Sequence, residues 1–367
     1  MRQQVEALSG HHHVELLERN NDDLSGGAST WALMATGKAA RSEVNATFDS
    51  FQPDVVHVHN TYPSLGPSIH QAAEQRGIPL VMTVHNFRLR CPNGYMFTNG
   101  ELCRRCEGGN YTNAVMHSCF ETRAQAAGYA SALWLHRFKM KLEAKVTRFV
   151  APSEFTAGRL REWGIDPRRI DVVRNFTEIP EVPGRPGSFG LYLGRMSPEK
   201  GLDTLVEALA AAGDPEFVCA GDGPELGSLI GRARALGLTR TRFVGRRDRA
   251  EVAELTHDAR FLVMSSRSEE NAPLAALEAM AAGKPLIATS LGGLSELVAE
   301  GRGIAVVPGN VAELSQAIRT LGGDEERCLT LGAAARSFAE SNLTANVHVA
   351  ALTRCYEEAV GAGATEG

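Results

Sequence analysis

No run of about 20 uninterrupted apolar residues occurs in this 367-residue chain, which excludes an ordinary membrane-spanning helix. The opening Met1-Arg2-Gln3-Gln4-Val5-Glu6 lacks the apolar core of a signal peptide. Positive charge is not in excess either. Against 43 Asp and Glu stand 38 Lys and Arg, and the formal net charge of -5 and pI near 6.2 give no global pull toward nucleic acid. Cysteine is neither abundant nor even in number: seven, without an export signal, point to a reducing, cytoplasmic setting.

What remains is ordinary globular composition, 43% hydrophobic and 22% charged, in a length that suits about two domains of ~150 residues. After Gly187 the pattern is regular. Short apolar runs at Phe189 to Leu193, Glu216 to Ala220, Thr241 to Val244, Phe261 to Ser265, Pro285 to Thr289 and Gly303 to Val307 alternate with helical stretches. Strands that alternate with helices, with glycines at their ends, predict parallel βαβ units that bind ligands at the carboxyl ends of the strands.

The first half alternates more loosely, with candidate strands at Val14 to Leu17, Val55 to His57, Leu80 to Val84 and Phe149 to Ala151. The triplet His11-His12-His13 runs directly into the first of these and reads as native sequence. An irregular stretch rich in Cys, Gly and Asn lies between His85 and Glu121. Pro180, Pro183 and Pro186, with Gly184 and Gly187, mark a linker. The expected organisation is a domain over 1–178, a linker over 179–187, a second domain over 188–345, and a terminal helix and tail over 346–367 that could cross back to the first domain. The only low-complexity segment is Gly361 to Gly367. A doubly wound domain opens with a strand and a glycine-rich turn, yet this chain opens in a helix (Gln3 to Leu8), so the first strand is expected to be missing.

The segment Ser266 to Glu278 carries the most chemistry. It leaves a strand and enters a helix at Pro273, with Glu270 in the loop and Glu278 inside the helix. Two carboxylates so spaced suit hydroxyls on two different sugar rings, and the amides at the helix start suit an anion. Acidic residues that merely favour a helix N-terminus fit the spacing equally well. Arg195 and Lys200 flank the turn Gly194-Arg195-Met196-Ser197-Pro198-Glu199-Lys200-Gly201, where cations would stabilise a departing diphosphate; a solvated turn is the alternative.

These elements together resemble the glycosyltransferase family 4 pattern over nearly the whole chain: Pro53 to His59, Thr83-Val84-His85-Asn86, Val150 to Ser153, Leu193-Gly194-Arg195, Pro198-Glu199-Lys200-Gly201, the Glu270 to Glu278 spacing and Gly292-Gly293. The resemblance implies an α/β GT-B fold, two Rossmann-like doubly wound domains facing a central cleft. It further implies a retaining transferase that moves sugar from a nucleotide-sugar donor to a glycan or lipid-linked acceptor, in polysaccharide or cell-envelope glycan synthesis. Glu270 would contact donor-sugar hydroxyls and Glu278 the ribose. Arg195, Lys200 and the amides around Asn271, Ala272, Pro273 and Leu274 would hold the diphosphate, and His85 would lie near the reacting carbon. The resemblance implies no catalytic metal, and no Asp-x-Asp pair stands at a strand end. A truncated or inactive relative that binds without turnover is the competing expectation; a sugar-nucleotide epimerase is a further one, opposed by the Glu270 to Glu278 motif.

Cys91, Cys103, Cys106 and Cys119 fall in the irregular stretch, where a structural zinc with His117 as a spare ligand competes with free thiols. Phe87, Arg90, Tyr95 and Phe97 there would either contact an acceptor or pack the loop. Ala132 to Lys145, with Trp134 and Phe138 among Arg137, Lys139, Lys141 and Lys145, reads as an amphipathic helix. Such a helix would either bury one face or rest peripherally on the inner face of the plasma membrane.

Overall fold

The computed structural model describes residues 1–21 and 28–364; the last three residues of the biased tail, 365–367, lie outside them. The chain divides into two compact units. The first holds 1–99, 103–173 and 349–367, and the second 100–102 and 174–348. The boundary at Val173 precedes the proline-rich stretch 179–187. That stretch belongs to the second unit because its backbone is tied there: Gly184 N donates to Ala282 O at 3.0 Å and Gly187 N to Ala259 O at 3.4 Å.

Four parallel strands build the first unit: β1 (Val56–Val58), β2 (Leu80–Thr83), β3 (Arg148–Ala151) and β4 (Ile170–Val172), adjacent in that order. β4 was not expected; its central Asp171 breaks the apolar pattern but accepts two 2.7 Å bonds from Arg148 on β3. One face of the sheet packs on Val44, Phe48, Ile69, Leu160 and their neighbours. The other is covered by Leu8 and by Val349, Leu352, Cys355 and Ala359 of the last helix.

Val14 to Leu17 is not a strand. Val14 packs on one core cluster and Leu17 on the other from irregular backbone. His12, before it, bonds Thr353 at 2.8 Å. The expected helix over 132–145 is also broken. A helix Arg123–Trp134 passes into a π-helical turn Leu135–Lys139, and Lys141 then takes a positive φ of 48°.

Six parallel strands form the second unit: β5 (Gly190–Leu193), β6 (Phe217–Ala220), β7 (Thr241–Gly245), β8 (Phe261–Met264), β9 (Leu286–Thr289) and β10 (Gly303–Val306). Their order is β10-β9-β8-β5-β6-β7. Four of them are buried at every position, as a sheet covered on both faces requires. The order reverses between β5 and β8, and such a switch point opens a crevice at the carboxyl ends of the two strands.

Candidate active site

Both motifs of the second unit emerge at that switch point. β5 ends at Leu193 and leads into Arg195 to Lys200; β8 ends at Met264 and leads into Ser265 to Glu270. Glu270 Oε1 accepts from Lys200 Nζ at 2.5 Å and from Ser266 Oγ at 2.7 Å. The two loops are laced by backbone as well. Ser265 Oγ donates to Lys200 O at 2.9 Å, and Arg267 N donates to Glu199 O at 2.8 Å.

Close backbone approach explains the glycines. Gly201 has φ +65°, and a Cβ there would sit 2.3 Å from Ser265 O. Gly293 N donates to Glu270 O at 2.6 Å, and a Cβ on Gly293 would fall 1.9 Å from Asn271 O. The loop after β9 therefore backs the loop that carries Glu270.

Arg195 is ion-paired with Glu199, a residue given no role in the sequence reading. Glu199 is buried and also accepts from Ser197 Oγ at 2.7 Å. Burial alone would raise its carboxyl pKa; the Ser197 hydroxyl, its own backbone amide and Arg195 outweigh burial and hold it below the ordinary range.

Pro273 stands one position ahead of the helix Leu274–Ala281 rather than inside its first turn, and Asn175 Nδ2 caps the preceding peptide at Ala272 O, 3.3 Å away. The first-turn amides of such a helix have no partner within it and suit an anion. Glu278 lies within the helix, half-buried, with its pKa raised by burial.

In the first unit, β1 and β2 bring three histidines together. His59 Nδ1 lies 2.7 Å from His85 Nε2, with the rings stacked at 5.0 Å. His57 stacks on His59 at 4.5 Å and bonds Thr83 Oγ1 and Tyr356 Oη, both at 2.7 Å. A His-x-His on a strand places both rings on one face, a signal present in the sequence but left unused. A cavity of about 70 Å³ adjoins His59 and His85 and reaches inward to His70, Arg88 and His136.

The cysteine loop is packed around smaller spaces. Phe87 is buried against Phe155 and Trp163, Arg90 is buried in an ion pair with Glu143, and Phe97 is buried. These three pack the loop; Tyr95 is exposed. Cys91, Cys103, Cys106 and Cys119 are free thiols that line a second cavity, of about 10 Å³, with His117. Burial and the neighbouring cysteines push the Cys106 thiol up to about 12. Among the described residues no three His, Cys, Asp or Glu are gathered closely enough to hold a metal ion. No described helix is long and apolar enough to cross a membrane.

Comparison with known proteins agrees with this layout. The family model for glycosyl transferases group 1 matches residues 178–338, and that for glycosyltransferase family 4 matches 35–179. Glycogen synthase of Mycobacterium tuberculosis is 29% identical over 322 residues, covering 82% of this chain and 70% of that protein. The teichuronic acid biosynthesis glycosyltransferase TuaC of Bacillus subtilis, a putative assignment by its own name, is 26% identical over 72% of this chain, which spans 60% of its length. Among solved structures, sucrose-phosphate synthase of Thermosynechococcus elongatus superimposes with a TM-score of 0.72 at 19% identity, covering 98% of this chain and 92% of its own. HepE of Anabaena, in complex with UDP and glucose, gives 0.64 at 20% identity, covering 88% and 82%. With two Rossmann-like parallel sheets and both halves matched by transferase families, the chain belongs to the glycosyltransferases of the GT-B fold.

Proposed function

We propose that the chain is a retaining glycosyltransferase of family 4, moving a sugar from a nucleotide-diphosphate donor to a glycan or lipid-linked acceptor in polysaccharide or cell-envelope glycan synthesis. The observation that carries this reading is the Lys200–Glu270–Ser266 cluster at the strand-order switch point, backed by Gly292-Gly293.

In the proposed reaction Lys200, Arg195 and the amides at Asn271 to Leu274 neutralise the diphosphate as it departs. Glu270 accepts from hydroxyls of the donor sugar, and Glu278 from the ribose. The acceptor hydroxyl attacks on the face from which the diphosphate leaves, and a donor phosphate oxygen takes its proton. His85, braced by His59, contacts the sugar near the reacting carbon. The chain's own residues in this scheme call for no catalytic metal.

For the cysteine loop the proposed role is structural. A zinc-to-protein ratio near one in freshly purified protein would make it a zinc site, and a ratio near zero a thiol-packed loop. The proposed location is cytoplasmic, with exposed Trp134 and Phe138 beside Lys139 resting on an anionic membrane surface.

A nucleotide-sugar panel, assayed for donor hydrolysis and for transfer, tests the reading. Turnover of one donor that collapses in Glu270→Ala supports it. Donor binding without turnover, with acceptors present, would turn the reading to a non-catalytic relative, and no binding at all would sink the donor site.

A further inference from the structure

The 70 Å³ cavity of the first unit contains polar groups that the fold leaves unused. His70, in the helix Ser68–Arg76, is 2% exposed, and neither ring nitrogen has a hydrogen-bond partner among the described residues. Arg88 Nη1 is likewise buried and unpaired. Its guanidinium lies over the rings of Tyr62 at 5.9 Å and Tyr129 at 5.3 Å, contacts that aim it without giving it an acceptor. Folded proteins satisfy nearly all buried polar groups, because an unsatisfied one is destabilising. Two of them on one cavity mark a place completed by a ligand.

The charge is consistent with an anion. The one carboxylate among the lining residues, Glu143, is already held by Arg90. Burial first, then His136 and Lys145, lower the His70 pKa to about 3, so its ring is neutral. A neutral imidazole offers one donor and one acceptor, which are the two roles a hydroxyl meets.

We infer that this cavity is a subsite for an acidic sugar or sugar phosphate, with Arg88 on the oxyanion and His70 on a neighbouring hydroxyl. Because the cavity adjoins His85, the ligand is the acceptor, or the part of it nearest the transfer point. Calling it an acceptor rests on the transferase reading; the binding itself does not.

The test is calorimetric titration of the full chain, without donor, using D-glucose, D-glucuronate and D-glucose 6-phosphate, alongside spectra of ¹⁵N-histidine-labelled protein. At least one anion should bind about tenfold or more tightly than glucose, as a charge-assisted bond implies. Which anion wins separates a carboxylate from a phosphate ligand. Arg88→Gln should erase the preference, and the anion should shift a histidine resonance that is missing in His70→Gln. His70→Leu should weaken binding while raising Tm by a few degrees, since it removes two unsatisfied buried nitrogens; a loss of binding there cannot then be ascribed to unfolding. Equal binding of glucose and both anions would overturn the inference. So would anion binding that survives Arg88→Gln and His70→Leu, that UDP displaces, or that is undetectable up to millimolar concentration.

Discussion

Lys200 Nζ and Glu270 Oε1 sit 2.5 Å apart, so the cation proposed to hold the diphosphate and the carboxylate proposed to hold the sugar satisfy each other. A bound donor would exchange this pair for two ligand contacts, freeing Glu270 as it occupies Lys200. Two residues that act as one unit give non-additive losses. Lys200→Met and Glu270→Gln are each expected to lower kcat/KM by about 10²–10³-fold. The double variant should be no more than a few-fold worse than the weaker single one. Steady-state kinetics on the four proteins checks this, and strictly additive losses would mean the two act separately.

Glu199 is buried, and its carboxyl pKa is held below the ordinary value. A depressed folded pKa contributes stability that is present above the unfolded pKa of about 4.3 and lost as pH falls through the folded value. Glu199→Gln should therefore cost about 1–2 kcal/mol at pH 7. The gap from the parent should narrow below about pH 4.3. Urea unfolding at several pH values reads it; a gap that is constant with pH would show that packing, not charge, is lost.

For Glu278 the sign is opposite, because burial raises its pKa. Its ionised form is the costly one in the fold, and this cost appears as pH rises through the raised value. If the ionised carboxylate receives the ribose hydroxyls, donor affinity should weaken as pH falls toward and below that value. Glu278→Gln should bind more weakly at neutral pH and lose the acid-side dependence. Donor Kd measured from pH 5 to 8 decides, and identical profiles would remove Glu278 from the donor site.

His59 bonds His85 at 2.7 Å and stacks between it and His57. In the proposed reaction it is a positioning residue: its removal takes away the His59–His85 bond and stack. His59→Ala should lower kcat by about tenfold or more with donor Kd unchanged, in the range seen when supporting shells are removed. His59→Gln, which keeps a side-chain donor and acceptor, should restore part of the loss. Unchanged kcat would make the stack merely structural.

The second unit was legible from the sequence almost residue by residue. All six strands lie within one residue of their expected ends; four of them are fully buried parallel strands, which leave an unambiguous apolar run. The placing of Glu278 in a helix and Glu270 before it held for the same reason. Glu199 and Arg88 were not legible. Glu199 is a charged residue in a short 3₁₀ turn and Arg88 one in a loop, and what distinguishes each is its burial in the folded chain, which local pattern does not encode. Arg90 was singled out where Arg88 faces the cavity; the two differ by which one finds Glu143. Val14 to Leu17 shows the converse, a short apolar run whose side chains reach two cores without a ladder.

The first unit is interrupted in sequence: its last segment, from Val349, is made after the whole second unit. Until then Val81 and Val150 have no cover from Leu352 and Ala359, and His57 has no Tyr356. At about 5–20 residues per second on the ribosome, the wait between Val173 and Val349 is on the order of 10–35 s. The usual order of completion, N-terminal domain first, is therefore reversed here. A nascent chain can complete the half made second before the half made first gains the cover of its last helix and the His57–Tyr356 bond, so a chain stalled before Val349 carries a finished second unit beside an uncovered first sheet.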